Sequence, residues 1–168
     1  FPYTTLFRSY LDVREAGEVE HSVERSLRIA RYKSGKYTIE RPLHFGAVMA
    51  RPDASEHSEL LNLLSAYGLP LGEAFQLRDD MLGIFGDPSV TGKPAGDDLR
   101  EGKRTVLMAM TMEAASVAAR AELVANLGKS DLTPEKIESL RALIIETGAV
   151  AQVEKLIDRL AQESSEAA

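Results

Sequence analysis

Residues 55–80 read SEHSELLNLLSAYGLPLGEAFQLRDD, and this stretch decides the fold. Leu60, Leu61, Leu64, Leu69, Leu71, Ala74, Phe75 and Leu77 recur at helical spacing, which predicts one long core helix with Pro70 as the place where it would kink. Two adjacent carboxylates, Asp79 and Asp80, close it. Beyond them Gly83, Gly86, Gly92, Gly96 and Gly102, together with Pro88 and Pro94, break regular structure and predict a mobile, charged loop.

Working outward, Val23, Leu27 and Ala30 fall on one helical stripe while Arg25 and Arg28 point away from it. This amphipathic helix is expected to continue toward Met49, bent or interrupted near Gly35 and Pro42 because a proline lacks the helical donor and crowds the preceding turn. Pro52 and Asp53 then punctuate the chain. Helix resumes near Arg104 with Val106, Leu107, Met110 and Val117 and stops around Gly128. Thr133 followed by Pro134 marks the next start, since a threonine hydroxyl caps and a proline at the first helical position loses no bond. Gly148 splits the last helices, and the small, polar tail 162–168 is expected to fray. Neither strand alternation nor an internal repeat is present, so the class is an all-α helical bundle.

The 168 residues fit one domain, and 44% hydrophobic with 27% charged residues is a globular composition. A net charge of −6 argues against a phosphate-backbone binder, so nucleic acid is excluded as a partner. The absence of cysteine rules out disulfides and thiolate metal sites and fits a reducing cytoplasm. No apolar run approaches the roughly 18 to 20 residues that span a bilayer. Residues 1–9 lack the basic start, apolar middle and cleavage site of a secretory signal. The expected location is cytoplasmic.

The chemistry concentrates around Asp79 and Asp80, followed by Asp87, Lys93, Asp97, Asp98 and Lys103. Magnesium keeps several waters and takes one or two protein carboxylates plus phosphate oxygens, so this set suits a magnesium-diphosphate complex with lysines neutralising the remaining charge. The competing reading is a solvated acidic helix end. Lys33 and Ser34 place a cation and a hydroxyl at the expected bend, with an exposed basic turn as the alternative. The segment from Gly86 to Pro94 fails the nucleotide-binding P-loop, because Pro94 follows Lys93 where serine or threonine is required. His21, His44 and His57 show no paired ligand spacing and suit surface or packing roles. A serine-hydrolase elbow is also absent.

In this order, RYKSGKYTIERPL (31–43), YGLPLGEAFQLRDDMLGIFGDP (67–88) and TGKPAGDDLREGKRT (91–105) closely resemble the second half of polyprenyl synthetases, as in bacterial geranylgeranyl and farnesyl diphosphate synthases. The resemblance runs from about Leu11 into the last helices and implies the C-terminal part of the isoprenoid synthase bundle, with residues 10–168 a partial synthetase domain. It implies a trans-prenyltransferase that elongates an allylic diphosphate with isopentenyl diphosphate. Asp79 and Asp80 match the family's second aspartate-rich motif and would hold Mg2+. Lys33 and Lys93 would contact diphosphate oxygens, with Lys103 close by. Ser34 and Gln76 would stabilise the developing carbocation, and Phe75 and Tyr37 would line the pocket. The full-length parent would be a homodimer.

Three departures stand out. The motif's third aspartate falls at Gly83. The first aspartate-rich motif belongs upstream of anything in this sequence, so the chain by itself is expected to be inactive. Residues 1–9 do not match the family and resemble a translated sequencing adapter fused to a truncated gene. A noncatalytic subunit of a heteromeric synthase and a terpene cyclase on the same fold are the alternatives.

Overall fold

The computed structural model describes residues 22–50, 57–92, 94 and 96–168. Every regular element among the described residues is helical, which gives the expected all-α class. In chain order these are α1 (Val23–Ala30), a π-helical segment (Arg31–Glu40), α2 (Arg41–Ala50), α3 (His57–Phe85), α4 (Pro88–Thr91), α5 (Asp97–Glu101), α6 (Val106–Ala114), α7 (Val117–Asn126), α8 (Pro134–Glu146) and α9 (Ala149–Glu166). No described helix is long and apolar enough to cross a membrane. The segment 1–9, proposed from sequence to lie outside the family, is not among the described residues.

The chain divides into two units. The described part of the first comprises 27–50, 57–76 and 156–168; that of the second comprises 22–26, 77–92, 94 and 96–155.

In the first unit, the π segment and α2 run antiparallel to α3, as the paired residues record. Arg31 meets Glu73, Gly35 meets Gly72, Gly68 lies beside Ile39 and Glu40, and His44 reaches Ser65 and Leu61. His44 therefore takes the packing role expected of it, with Nε2 3.0 Å from the Leu61 carbonyl and 2.9 Å from Ser65 Oγ.

The bend expected near Gly35 and Pro42 takes the form of a widened helix. The Arg41 N–H donates to the Lys36 carbonyl, five residues back, and Thr38 Oγ1 donates to the Lys33 carbonyl across the same interval at 3.2 Å. Pro42 supplies the reason: its ring would crowd the carbonyl of Thr38 in a regular helix, and an extra residue per turn relieves the clash. Pro70 is accommodated inside α3. A proline tilts the carbonyls of the preceding turn outward, and that of Tyr67 accepts the Ser164 hydroxyl at 2.9 Å. This contact corrects the expectation of a frayed tail. Helix α9 continues through Glu166, and Ser164 is buried with its hydroxyl donating to the Tyr67 carbonyl.

The second unit is built around Leu77, Met81 and Ile84 of α3, Leu107 of α6, Leu123 of α7, Ile137, Leu140 and Ile144 of α8, and Val153 of α9. Spacings of three and four place these side chains on single helical stripes. Short polar residues open the helices as their sequence positions suggest. Thr105, Ser116 and Thr133 accept hydrogen bonds from the backbone N–H three residues on. Gly148, at φ +76°, ends α8 and lets α9 start in a new direction. The expected glycine-rich loop is not wholly irregular, because Asp87 caps α4 and Asp97–Glu101 forms α5.

Candidate active site

In the first unit, Lys33, Ser34 and Tyr37 lie on the π segment, and Phe75 and Gln76 on α3. Ser34 is buried, and its hydroxyl donates to Gln76 Oε1 at 2.5 Å. The structure thus joins two residues 42 apart in sequence to which the resemblance gives one role. Lys33 is half-buried, while Phe75 is 57% exposed and Tyr37 37% exposed. An exposed aromatic of the size of Phe75 offers its face to an apolar ligand or to further protein.

What seats Ser34 on Gln76 is the crossing of two glycines. A Cβ at Gly72 would come within 2.5 Å of Gly35 Cα and 2.6 Å of the Ser34 carbonyl oxygen, so the backbones touch directly. Beside them Arg31 Nη1 donates to Glu73 Oε1 at 2.9 Å. Burial pushes the Glu73 carboxyl above the ordinary glutamate range; the charge and hydrogen bond of Arg31 oppose this, and the charge of Glu163 adds to it.

A raised carboxylate pKa means that the folded chain holds a proton the unfolded chain has already lost. Stability from Glu73 is therefore complete below 4.5, the unfolded value, and is lost as pH rises through the folded value. Glu73→Gln is expected to flatten this part of the curve in thermal melts between about pH 4 and 7. An unchanged slope would assign the proton to another group.

In the second unit, Asp79 is exposed and lies across α3 from Leu77, Met81 and Ile84, while Asp80 is half-buried at the edge of that stripe. The end of this helix is held twice. Arg78 makes a bidentate pair with Glu154 at 2.8 and 2.7 Å, and its hydrogen bonds hold the Glu154 carboxyl below the usual range. Arg141 Nε donates to the Ile84 carbonyl at 2.7 Å, placing a cation against the negative end of the helix dipole, and its guanidinium lies against the Phe85 ring.

Asp87 is committed to structure. Its carboxylate accepts from the Ser89 N–H at 2.8 Å and from the Ser89 hydroxyl at 2.7 Å, which depresses its pKa and caps α4. Lys103 pairs with Asp98 at 2.5 Å and Glu101 at 3.1 Å. Burial works against the Lys103 charge, but the Asp98 and Glu101 carboxylates outweigh it and hold the ammonium above the usual lysine range. Lys93 lies outside the described residues, as does His21.

Sequence reasoning did not single out Arg31, Glu73, Arg141 or the Gly35–Gly72 crossing. Only the last had a usable signal, a pair of glycines in two helical patterns.

A sequence profile of the family described as Polyprenyl synthetase matches residues 5–144. The chain belongs to the polyprenyl synthetase family. It is 37% identical over 128 residues to the geranylfarnesyl diphosphate synthase of Aeropyrum pernix, covering 76% of this chain and 37% of that protein. It is 35% identical over 147 residues to the farnesyl pyrophosphate synthase of Rattus norvegicus, covering 84% and 40%. Among solved structures, the geranylgeranyl pyrophosphate synthase of Corynebacterium glutamicum, complexed with isoprenyl diphosphate and magnesium, superposes with a TM-score of 0.89 at 41% identity. That match covers 98% of this chain and 45% of the other. The chain therefore spans about two-fifths of the length of these curated family members.

Magnesium bound in that relative can be tested against the residues present here. Asp79 and Asp80 are hard oxygen donors, the first exposed and the second half-buried on α3, which suits a cation that retains water. Gly83 leaves a cradle one turn along, and the Asp98 carboxylate fills it. The donor set fits.

Proposed function

We propose that this polypeptide is the C-terminal half of a trans-prenyltransferase that elongates an allylic diphosphate with isopentenyl diphosphate. The observation that carries the reading is the 41% identity, across 98% of the chain, to a synthase holding isoprenyl diphosphate and magnesium. Supporting it, the second unit presents an exposed Asp79 next to a half-buried Asp80 on α3, and the first pairs Ser34 with Gln76. The same reading has the complete polypeptide acting in the cytoplasm as a homodimer.

Asp79 and Asp80 would hold magnesium, which when bound supplies Lewis-acid stabilisation of the departing diphosphate. Lys33, Lys93 and Lys103 would bind diphosphate oxygens and offset that charge as it grows. The Ser34 hydroxyl fixes Gln76 by donating to its Oε1, and the amide dipole so oriented would stabilise positive charge on the allylic carbon. Phe75 and Tyr37 would pack against the prenyl chain and exclude water, which would otherwise quench the cation.

Condensation of labelled isopentenyl diphosphate with an allylic diphosphate tests this in the complete polypeptide. A longer allylic diphosphate is the expected product. A hydrocarbon would indicate a cyclase, and synthesis only after a second chain is added would indicate a noncatalytic subunit. The 168 residues alone are expected to give little or no turnover, because they lack a partner aspartate motif. Robust synthesis by the purified chain would overturn the half-synthase reading.

A further inference from the structure

Helix α3 ends where its last carbonyls need donors that the following chain supplies only in part. The carbonyl of Leu82 accepts the Gly86 N–H at 2.8 Å. In a continuing helix the carbonyl of Ile84 would accept from residue 88, and Pro88 has no N–H to give. Arg141 of α8 takes that place, its Nε donating to the Ile84 carbonyl at 2.7 Å.

The guanidinium is fixed at three points. Besides the Ile84 carbonyl, Nη1 donates to Glu138 Oε1, and the group lies 6.0 Å from the centre of the Phe85 ring. Ile84 is fully buried, and the Arg141 side chain is 14% exposed. Nη2 is buried without an acceptor among the described residues. An unpaired buried donor destabilises, so the other contacts must offset a real cost to keep the group here.

The turn held in this way is the one that carries Asp80. Within α3 the N–H of Ile84 closes on the Asp80 carbonyl, so Ile84 is bonded on one side to Asp80 and on the other to Arg141. Asp79 adjoins in the same turn. The second tether of this stretch, Arg78 to Glu154, is 45% and 40% exposed, and water screens it. Arg141 is the buried tether.

We propose that Arg141 is a positioning residue for the Asp79–Asp80 pair, holding the last turns of α3 so that both carboxylates keep the geometry that takes a divalent cation with diphosphate. The inference rests on the function proposed above and adds to it a residue of α8 that touches neither aspartate. Charge and position predict opposite signs for the loss of Arg141. A guanidinium near a cation site repels the cation, so removing it as a charge would tighten binding, and the Glu138 carboxylate already offsets much of that charge. Removing it as a tether frees the helix end and weakens binding.

The test is calorimetric titration of the complete polypeptide with Mn2+ and inorganic diphosphate, at a temperature well below the thermal melt of every variant. Wild type is expected to bind diphosphate only with Mn2+ present. Arg141→Met keeps the aliphatic stem, lacks every donor, and is expected to weaken that binding by about 10-fold, the lower end of what partners of metal ligands give. Arg141→Lys keeps the charge but cannot serve Ile84, Glu138 and the Phe85 ring at once, so it should bind more weakly than wild type and more tightly than Arg141→Met. It carries the test if the methionine variant does not fold. Ile144→Val, a core change three residues along α8, lowers the melting temperature without touching α3's last carbonyl and should leave binding at the wild-type level.

Wild-type or tighter binding by Arg141→Met, or by Arg141→Lys where the first does not fold, overturns the inference and leaves the proposed function standing. So does an equal weakening by Ile144→Val, which would trace the effect to general loss of stability. Absence of Mn2+-dependent binding in wild type overturns both.

Discussion

Changing Asp79 or Asp80 to asparagine in the complete polypeptide is expected to lower kcat/KM for condensation by on the order of 10²- to 10³-fold. Each substitution keeps shape and removes one charged oxygen donor from a cation site that would otherwise stabilise the leaving diphosphate. Every 1.36 kcal/mol lost from the transition state is a factor of ten, so a loss of about 3 to 4 kcal/mol gives this range. The magnesium concentration for half-maximal rate should rise in parallel. Asp79 is exposed and adjoins a like charge, so its replacement should change stability by no more than about 0.5 kcal/mol. Unaltered turnover with an unaltered magnesium requirement would leave the pair as a solvated helix end, the alternative that the sequence itself left open.

What could be read from sequence depended on the range of the interaction. The run from Leu60 to Leu77 predicts α3, and Thr133-Pro134 and Gly148 mark real helix boundaries, because periodicity, capping and glycine conformation are local. The same holds for Asp79, whose outward placement follows from Leu77, Met81 and Ile84 turning inward. Asp87-Pro88 was also a local signal, a cap followed by proline at the first helical position, but the surrounding glycines concealed α4.

The π segment was not legible. Gly35 and Pro42 indicated a disturbance, yet nothing within ten residues distinguishes a break from an extra residue per turn. Pairings 42 residues apart, such as Arg31 with Glu73 and Ser34 with Gln76, depend on how two helices cross. Ser164 looked like part of a loose tail because its partner, the carbonyl of Tyr67, lies 97 residues away in another helix. Gly83 looked like a missing ligand, and only the folded chain packs the Asp98 carboxylate against it.

Gly72→Ala and Gly46→Ala are expected to change stability in opposite directions, although both replace a helical glycine by the best helix former. The propensity gain is about 1 kcal/mol at either site. At Gly46, in α2, an added Cβ meets nothing within 4 Å, so the variant should gain about 0.5 to 1 kcal/mol. At Gly72 the new methyl would lie 2.5 Å from Gly35 Cα and 2.7 Å from Gly35 N. These are backbone atoms that no rotamer change can move, so α3 and the π segment must separate. Overpacking of this kind costs about 1 to 3 kcal/mol, and Gly72→Val should exceed the alanine variant because its branches meet the same backbone. Separation also draws Ser34 away from Gln76, so Gly72→Ala should lower kcat in the complete polypeptide, whereas Gly46→Ala should leave it unchanged. Chemical denaturation of the three variants measures the first effect and steady-state kinetics the second. A stabilised Gly72→Ala variant with full kcat would mean that the glycine crossing does not seat the Ser34–Gln76 pair.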